Sequence, residues 1–241
     1  MEYLFVLGVG LIAGTLSGIV GFGSSIMLMP VLVIVFGPLQ AVPIMAIAAI
    51  MANLSRILVW WRQVDWRACA AYSVTGVPAA ALGARTLLVL PPRLVELALG
   101  AFFILMIPAR RWLAAHDLRL RLPHLSVIGL VVGFLTGIVV STGPITAPIF
   151  LAYGLVKGAF LATEAAGSLA VYVSKSITFR TLGALPQDVI VKGLVSGSSL
   201  MVGALIAKRF VLKIPPERFR LLMDGLMLVS GLAMLWAAAT A

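Results

Sequence analysis

Acidic residues are scarce in this chain: 8 Asp and Glu among 241 residues, against 18 Lys and Arg, so charged side chains make up only 11% of it. A water-soluble domain of this length needs a surface rich in ionised groups, and this composition cannot furnish one. Cysteine is nearly absent as well. Cys69 stands alone in apolar sequence, which excludes an intrachain disulfide and a cysteine metal cluster. Of histidines there are 2, His116 and His124, and both lie in the one polar stretch between apolar blocks. The His, Cys or carboxylate clusters that an intramembrane hydrolase or redox enzyme requires are therefore not formed. No enzymatic activity, no metal and no other cofactor is expected. The excess of basic residues is scattered, without a basic face or an interleaved recognition motif, so no nucleic-acid partner is expected either.

What the chain has is apolar surface: 62% hydrophobic residues and a mean hydropathy of +1.14. It reads as an all-α polytopic membrane protein whose solvent is the lipid bilayer. About twenty apolar residues make one crossing, and long segments of that kind run near 3–20, 40–61, 67–90, 93–112, 124–141, 158–180, 188–211 and 217–238. Two shorter segments, 24–37 and 143–156, intervene. At about 1.5 Å per residue, fourteen residues cover about 21 Å of a hydrocarbon core of about 30 Å. Each short helix is therefore expected to start partway into the membrane. Met1, Glu2 and Tyr3 offer no basic leader region, so the first apolar run is read as a retained transmembrane helix.

The two short segments belong to a repeat. Gly10, Gly14 and Gly18 recur as Gly129, Gly133 and Gly137 with the same spacing of four, and each stripe is followed by a small, hydroxyl-rich break. Glycine on one stripe lets another helix backbone approach closely, which is how helices pack in lipid. A break inside apolar sequence is tolerated only where protein buries it or where it lines a wet cavity. The similarity continues: Leu87 to Leu94, with Pro91 and Pro92, matches Val211 to Arg218, with Pro215 and Pro216. Two inverted repeats of about five helical elements are expected, each with one short or broken helix: 1–109, a basic cytoplasmic linker 110–123, and 124–241.

The distribution of Lys and Arg supports five elements per half, because such residues in short loops stay cytoplasmic. With ten elements and both termini periplasmic, Arg62, Arg67, Arg110, Arg111, Arg119, Arg121, Lys157, Lys208, Arg209, Lys213, Arg218 and Arg220 fall inside, and only Arg85, Arg93, Arg180 and Lys192 fall outside. An odd number of crossings per half turns the second copy upside down, the plan common among secondary transporters.

The breaks are the candidate binding site. Gly23, Ser24 and Ser25 open one short helix; Ser141, Thr142, Gly143 and Pro144 open the other. Hydroxyl residues and proline at these places are helix starts on capping grounds. Two such starts inside the membrane would aim free N–H groups and positive dipole ends at one central volume, which suits a small anion. An offset of 119 residues also aligns Asn53 with Tyr172 and Arg56 with Lys175. A charge at mid-membrane costs roughly 2.5–3.5 kcal/mol on insertion scales and is a functional candidate by default, so these four residues join the expected substrate site. Arg56 also lies close enough to Arg62 to snorkel to the cytoplasmic boundary. Glu164, three helical turns before Lys175, and Asp224 are the candidates for proton coupling.

At these residues the chain resembles the sulfite exporter TauE/SafE family. The resemblance rests on the glycine-rich helix with Gly21, Gly23 and Pro30, its second copy ending at Pro148, the basic turn from Arg62 through Asp65, Trp66 and Arg67, and Gly83 with Arg85. Ser24 and Ser25 stand where the family has glycines, and Asp188 lacks the tryptophan that follows Asp65. The resemblance implies a secondary transporter that moves sulfite or organosulfonates across the bacterial inner membrane by alternating access, in the direction of export. An anion channel, an importer of another small oxyanion, and a homodimeric assembly are the alternatives and additions the residues leave open.

Overall fold

The computed structural model describes residues 2–20, 24–116, 119–139 and 142–210, and in the C-terminal stretch residues 221, 224–225, 228–229, 231–232, 235–236 and 238–239. Among the described residues the chain is helical, without strands. In order come α1 (Glu2–Val20), α2 (Ser24–Phe36), α3 (Pro38–Trp60), a 3-10 turn (Trp61–Gln63), α4 (Trp66–Val89), α5 (Pro92–Ala115), α6 (Leu122–Ile138), α7 (Gly143–Ala152), α8 (Lys157–Thr181) and α9 (Gln187–Phe210). Runs of Leu, Val, Ile and Ala form helices here because a helix satisfies its backbone polar groups within one segment, which hydrocarbon cannot do for it.

The first nine expected segments match these helices closely, with two differences, and the tenth, near 217–238, lies partly outside the described residues. The second short segment ends at Ala152 instead of 156, because Gly154 takes a φ of 103°. The amide of Leu155 then donates to the Phe150 carbonyl at 3.2 Å and that of Gly154 to Leu151 at 2.9 Å, a Schellman stop that only a residue tolerant of positive φ makes cheaply. The segment expected to end near 112 also runs longer. Helix α5 carries on through Ala115, where Trp112 and His116 stack with ring centroids 4.3 Å apart, and α6 resumes at Leu122. The expected counterpart of the Pro91 and Pro92 corner, at 211–218, lies outside the described residues.

Glycines decide which helices touch. A Cβ on Gly133 of α6 would overlap the backbone of Gly76 on α4, and one on Gly14 of α1 would overlap the Leu200 backbone on α9. Both crossings are backbone against backbone, as the spacing of four predicts. The first helix after the start of the chain thus packs on α9, and α6 packs on α4. Helices α3 and α8 run against each other between these pairs, with α9 also on α3 and α4 also on α8. The short helices α2 and α7 lean on α3 and α8 respectively. Ser24 to Gly143 and Pro38 to Lys157 are both separations of 119 residues, so the second and third elements start in the same register in both halves.

Helix α3 with the 3-10 turn that follows it, over Leu39–Gln63, and α9, over Gln187–Ile206, are long and apolar enough to cross a membrane. Large apolar side chains such as Ile34, Val74, Leu82, Leu105, Val131 and Val191 are exposed on the outside of the bundle. The turn between α3 and α4 exposes Trp61 and Trp66 beside Arg62 and Arg67, with the Arg62 guanidinium 5.2 Å from the Trp61 ring centroid. Amphipathic rings and basic groups together are typical of the boundary between lipid and water. Asp65 starts α4 there by accepting the amides of Arg67 and Ala68, both at 3.0 Å.

Candidate functional site

A buried cation, Lys175, a partly buried one, Arg56, and a buried carboxylate, Glu164, lie on α3 and α8, and each has found partners across the bundle. Arg56, near the end of α3, turns inward instead of snorkelling: its Nη1 lies 3.1 Å from Glu164 Oε2, with side-chain exposures of 11% and 3%. Its Nη2 donates to Asn53 Oδ1 one turn earlier on the same helix. The second oxygen of Glu164 accepts from Ser168 Oγ at 2.9 Å and from Thr146 Oγ1 at 3.0 Å. Thr146 belongs to α7, so this one carboxylate joins α3, α7 and α8. Every oxygen of a buried carboxylate needs donors of this kind if the charge is to stay.

Lys175 behaves differently from Arg56, its partner in the alignment. It is fully buried, at 0% exposure, and its ammonium donates to the carbonyls of Thr136 at 2.7 Å and Val139 at 2.8 Å. These carbonyls end α6, where an α-helix leaves its last acceptors without intrahelical donors and presents the negative end of its dipole. The ammonium also lies 5.5 Å from the centroid of the Phe179 ring. Glu164 and Lys175, three helical turns apart on α8, do not share partners: the carboxylate faces Arg56 and the ammonium faces the end of α6.

At the second break, Thr142 is the N-cap residue of α7, but its hydroxyl makes no capping bond. It pairs instead with Thr136 Oγ1 at 2.6 Å. Thr136 in turn lies 2.7 Å from the Val132 carbonyl, to which it donates, so Thr142 supplies the proton in the pair. Capping therefore did not place this threonine; bonding back to α6 did. Its main-chain carbonyl accepts the amides of Ile145 and Thr146 at 2.8 and 2.9 Å, starting α7 with Gly143 first and proline in the first turn. At the first break α2 starts at Ser24, and both Ser24 and Ser25 are buried. Gly23 and Ser141 lie outside the described residues.

Of the other expected residues, Tyr172 is buried in the apolar cluster shared with α2 and α3, while Asn53 has gone to Arg56. Asp224 accepts from Arg111 Nε at 3.0 Å and is thereby tied to the end of α5, not to the Arg56 cluster. Thr136, Thr146, Thr163 and Ser168 were not among the expected residues. Ser168 had a signal, since it stands one turn from Glu164; Thr136, beside Gly137 on the glycine stripe, had a weaker one. Thr163, whose hydroxyl accepts the Asp65 amide at 2.9 Å, had none.

Among the described residues no group of three or more His, Cys, Asp or Glu is placed to hold a metal ion. The arrangement is a helical bundle with an apolar exterior, interrupted helices and a few buried ionised groups held by hydroxyls and carbonyls. Those features define a membrane transport protein. The chain belongs to the sulfite exporter TauE/SafE family, whose model matches residues 6–234. No curated protein and no solved structure matches it.

Proposed function

We propose that this protein is a secondary transporter that exports small sulfur-containing anions, sulfite or organosulfonates, across the bacterial inner membrane by alternating access. Its site is the region of the two breaks, with Ser24, Ser25, Thr142 and Gly143 at the helix starts and Arg56 and Lys175 as counter-charges. The observation that carries this reading is a pair of cations turned into the bundle, Lys175 fully buried and Arg56 largely so, at corresponding places in two helices that pack on each other. A cation kept inside an apolar bundle costs stability, and anion recognition is the use that offsets it.

The two-repeat plan is part of the same reading: 1–109 and 124–241 are inverted copies joined on the cytoplasmic side by 110–123, with both termini periplasmic. It is supported by the reciprocal packing of α1 on α9 and α6 on α4, and by the common 119-residue register of α2 with α7 and α3 with α8. The exposed arginines and tryptophans of the turn after α3 favour the cytoplasmic face for that turn.

The test is sulfite and methanesulfonate flux in proteoliposomes containing this protein alone. Saturable flux above that of empty vesicles is expected; flux equal to empty vesicles for both anions refutes the proposal. Unitary conductance steps in a planar bilayer would assign a channel instead.

A further inference from the structure

The ion pair between Arg56 and Glu164 occupies the charge that a transported anion would need. Arg56 already places two of its five N–H donors inside the bundle, one of Nη1 on Glu164 and one of Nη2 on Asn53. Glu164 is held on both oxygens, since Thr146 and Ser168 donate to the one that Arg56 leaves. An anion arriving at Arg56 therefore meets a neutralised pair and a buried negative charge. Binding it while Glu164 stays ionised would leave one net negative charge in the bundle, the costliest arrangement in low dielectric.

We propose that Glu164 is a proton-controlled lock on Arg56: the carboxylate releases the guanidinium when it takes up a proton, and the guanidinium then binds the anion. The proposal rests on the anion-transport reading above. The charges balance. Before binding, the site holds Arg56 as a cation and Glu164 as an anion; afterwards it holds Arg56 as a cation, the substrate as a monoanion and Glu164 as a neutral acid. One proton from water enters with each monoanion, the number of buried charges is unchanged, and the step is electroneutral. Protonated Glu164 keeps a place in the cluster, because its new O–H can donate while Thr146 and Ser168 continue to donate to the other oxygen.

The geometry makes Glu164 the group suited to this. It is the contact between α3 and α8, the two helices packed between the reciprocal pairs, and through Thr146 it also holds α7, the short helix at the second break. Opening the lock releases the ionic hold of α8 on α3, while Thr146 keeps α7 on the carboxyl. The other titratable groups around it are Tyr72 of α4, which packs on Gly167 one turn along, Asp65 before α4, whose amide bonds Thr163, and Tyr172 and Lys175 on its own helix. From α7, the Thr146 hydroxyl faces it.

The experiment uses the full chain in detergent and methanesulfonate, whose charge is constant across the pH range, with sulfite as a second probe. Titration calorimetry in two buffers of different ionisation enthalpy counts protons taken up per anion bound. Wild type is expected to take up one proton per methanesulfonate, with Kd rising about tenfold for each pH unit on the alkaline side. Glu164→Gln, already neutral, is expected to bind without proton uptake and with a flat pH profile. Binding by wild type without proton uptake overturns the lock and leaves the transport reading standing. Undiminished uptake in Glu164→Gln assigns the proton to another group and also overturns it. Binding of neither anion by folded wild type removes the transport reading and the lock with it. The wild-type proton count needs no variant, so a misfolded Glu164→Gln does not protect the proposal.

Discussion

Truncating Glu164 to alanine is the perturbation whose cost the structure specifies best. Arg56 is left with a side chain 11% exposed and no carboxylate at the 3.1 Å position. Asn53 still accepts one of its N–H groups, but a neutral amide does not balance a charge. Removing one partner of a buried ion pair costs about 3–5 kcal/mol, most of it the penalty of the stranded charge. Thr146 adds little, because its hydroxyl is also 3.3 Å from the Gly143 carbonyl and can turn to it. The pair of Arg111 with Asp224 sets the contrast: Arg111 is 57% exposed, and such a pair contributes at most about 1 kcal/mol. Replacing both buried partners, as Arg56→Met with Glu164→Leu, removes the stranded charge and is expected to recover most of the loss. The assay is unfolding by sodium dodecyl sulfate from mild-detergent micelles, followed by tryptophan fluorescence, on wild type, both singles and the double. Glu164→Ala within about 1 kcal/mol of wild type, or a double variant as unstable as the summed singles, would refute the argument that these charges depend on each other. The same cost is what would keep the lock closed in the absence of an anion.

Three further outcomes follow from other parts of the bundle. Lys175→Met leaves the carbonyls of Thr136 and Val139 without their donor, and should lower stability by about 1–3 kcal/mol in the same unfolding assay; unchanged stability would mean that the ammonium does not hold the end of α6. Gly133→Val forces side-chain volume into the Gly76 backbone and is expected to cost at least about 1–3 kcal/mol or to abolish folding, whereas Gly8→Ala, with open space around it, should be neutral by size-exclusion profile and melting. Asp65→Ala removes the acceptor of two amides at the start of α4 and should cost about 0.5–2 kcal/mol, with Asp65→Asn nearly neutral; equal effects of the two would show that the charge, not the cap, matters.

The helices and their order were legible because their causes are local. Apolar runs of sufficient length, glycines spaced by four, and the breaks after each glycine stripe give α1 to α9 to within a few residues. The two places where the reading slipped were also local in cause: Gly154 stopped α7 early through its positive φ, and strong helix formers carried α5 past residue 112 to Ala115. The buried polar groups were legible in part. Arg56, Lys175, Glu164 and Thr142 stood out as polar groups in apolar sequence, and all four are buried or nearly so. Their partners were not legible. Alignment of the two halves paired Arg56 with Lys175 and suggested equal roles, yet one cation sits on a carboxylate and the other on the end of a helix.

By itself, then, the sequence determined the solvent, the helices, the places where they break and the stripes along which they meet, because composition, spacing and the need to satisfy backbone groups in lipid act within a few turns of chain. Only the tertiary structure decided that Arg56 would meet Glu164 across a separation of 108 residues, that Thr146 would reach the same carboxylate from α7, and that Lys175 would spend its donors on α6. A buried charge takes whatever counter-group the packing rotates toward it, and that rotation is set by backbone contact between helices, not by the charged residues themselves.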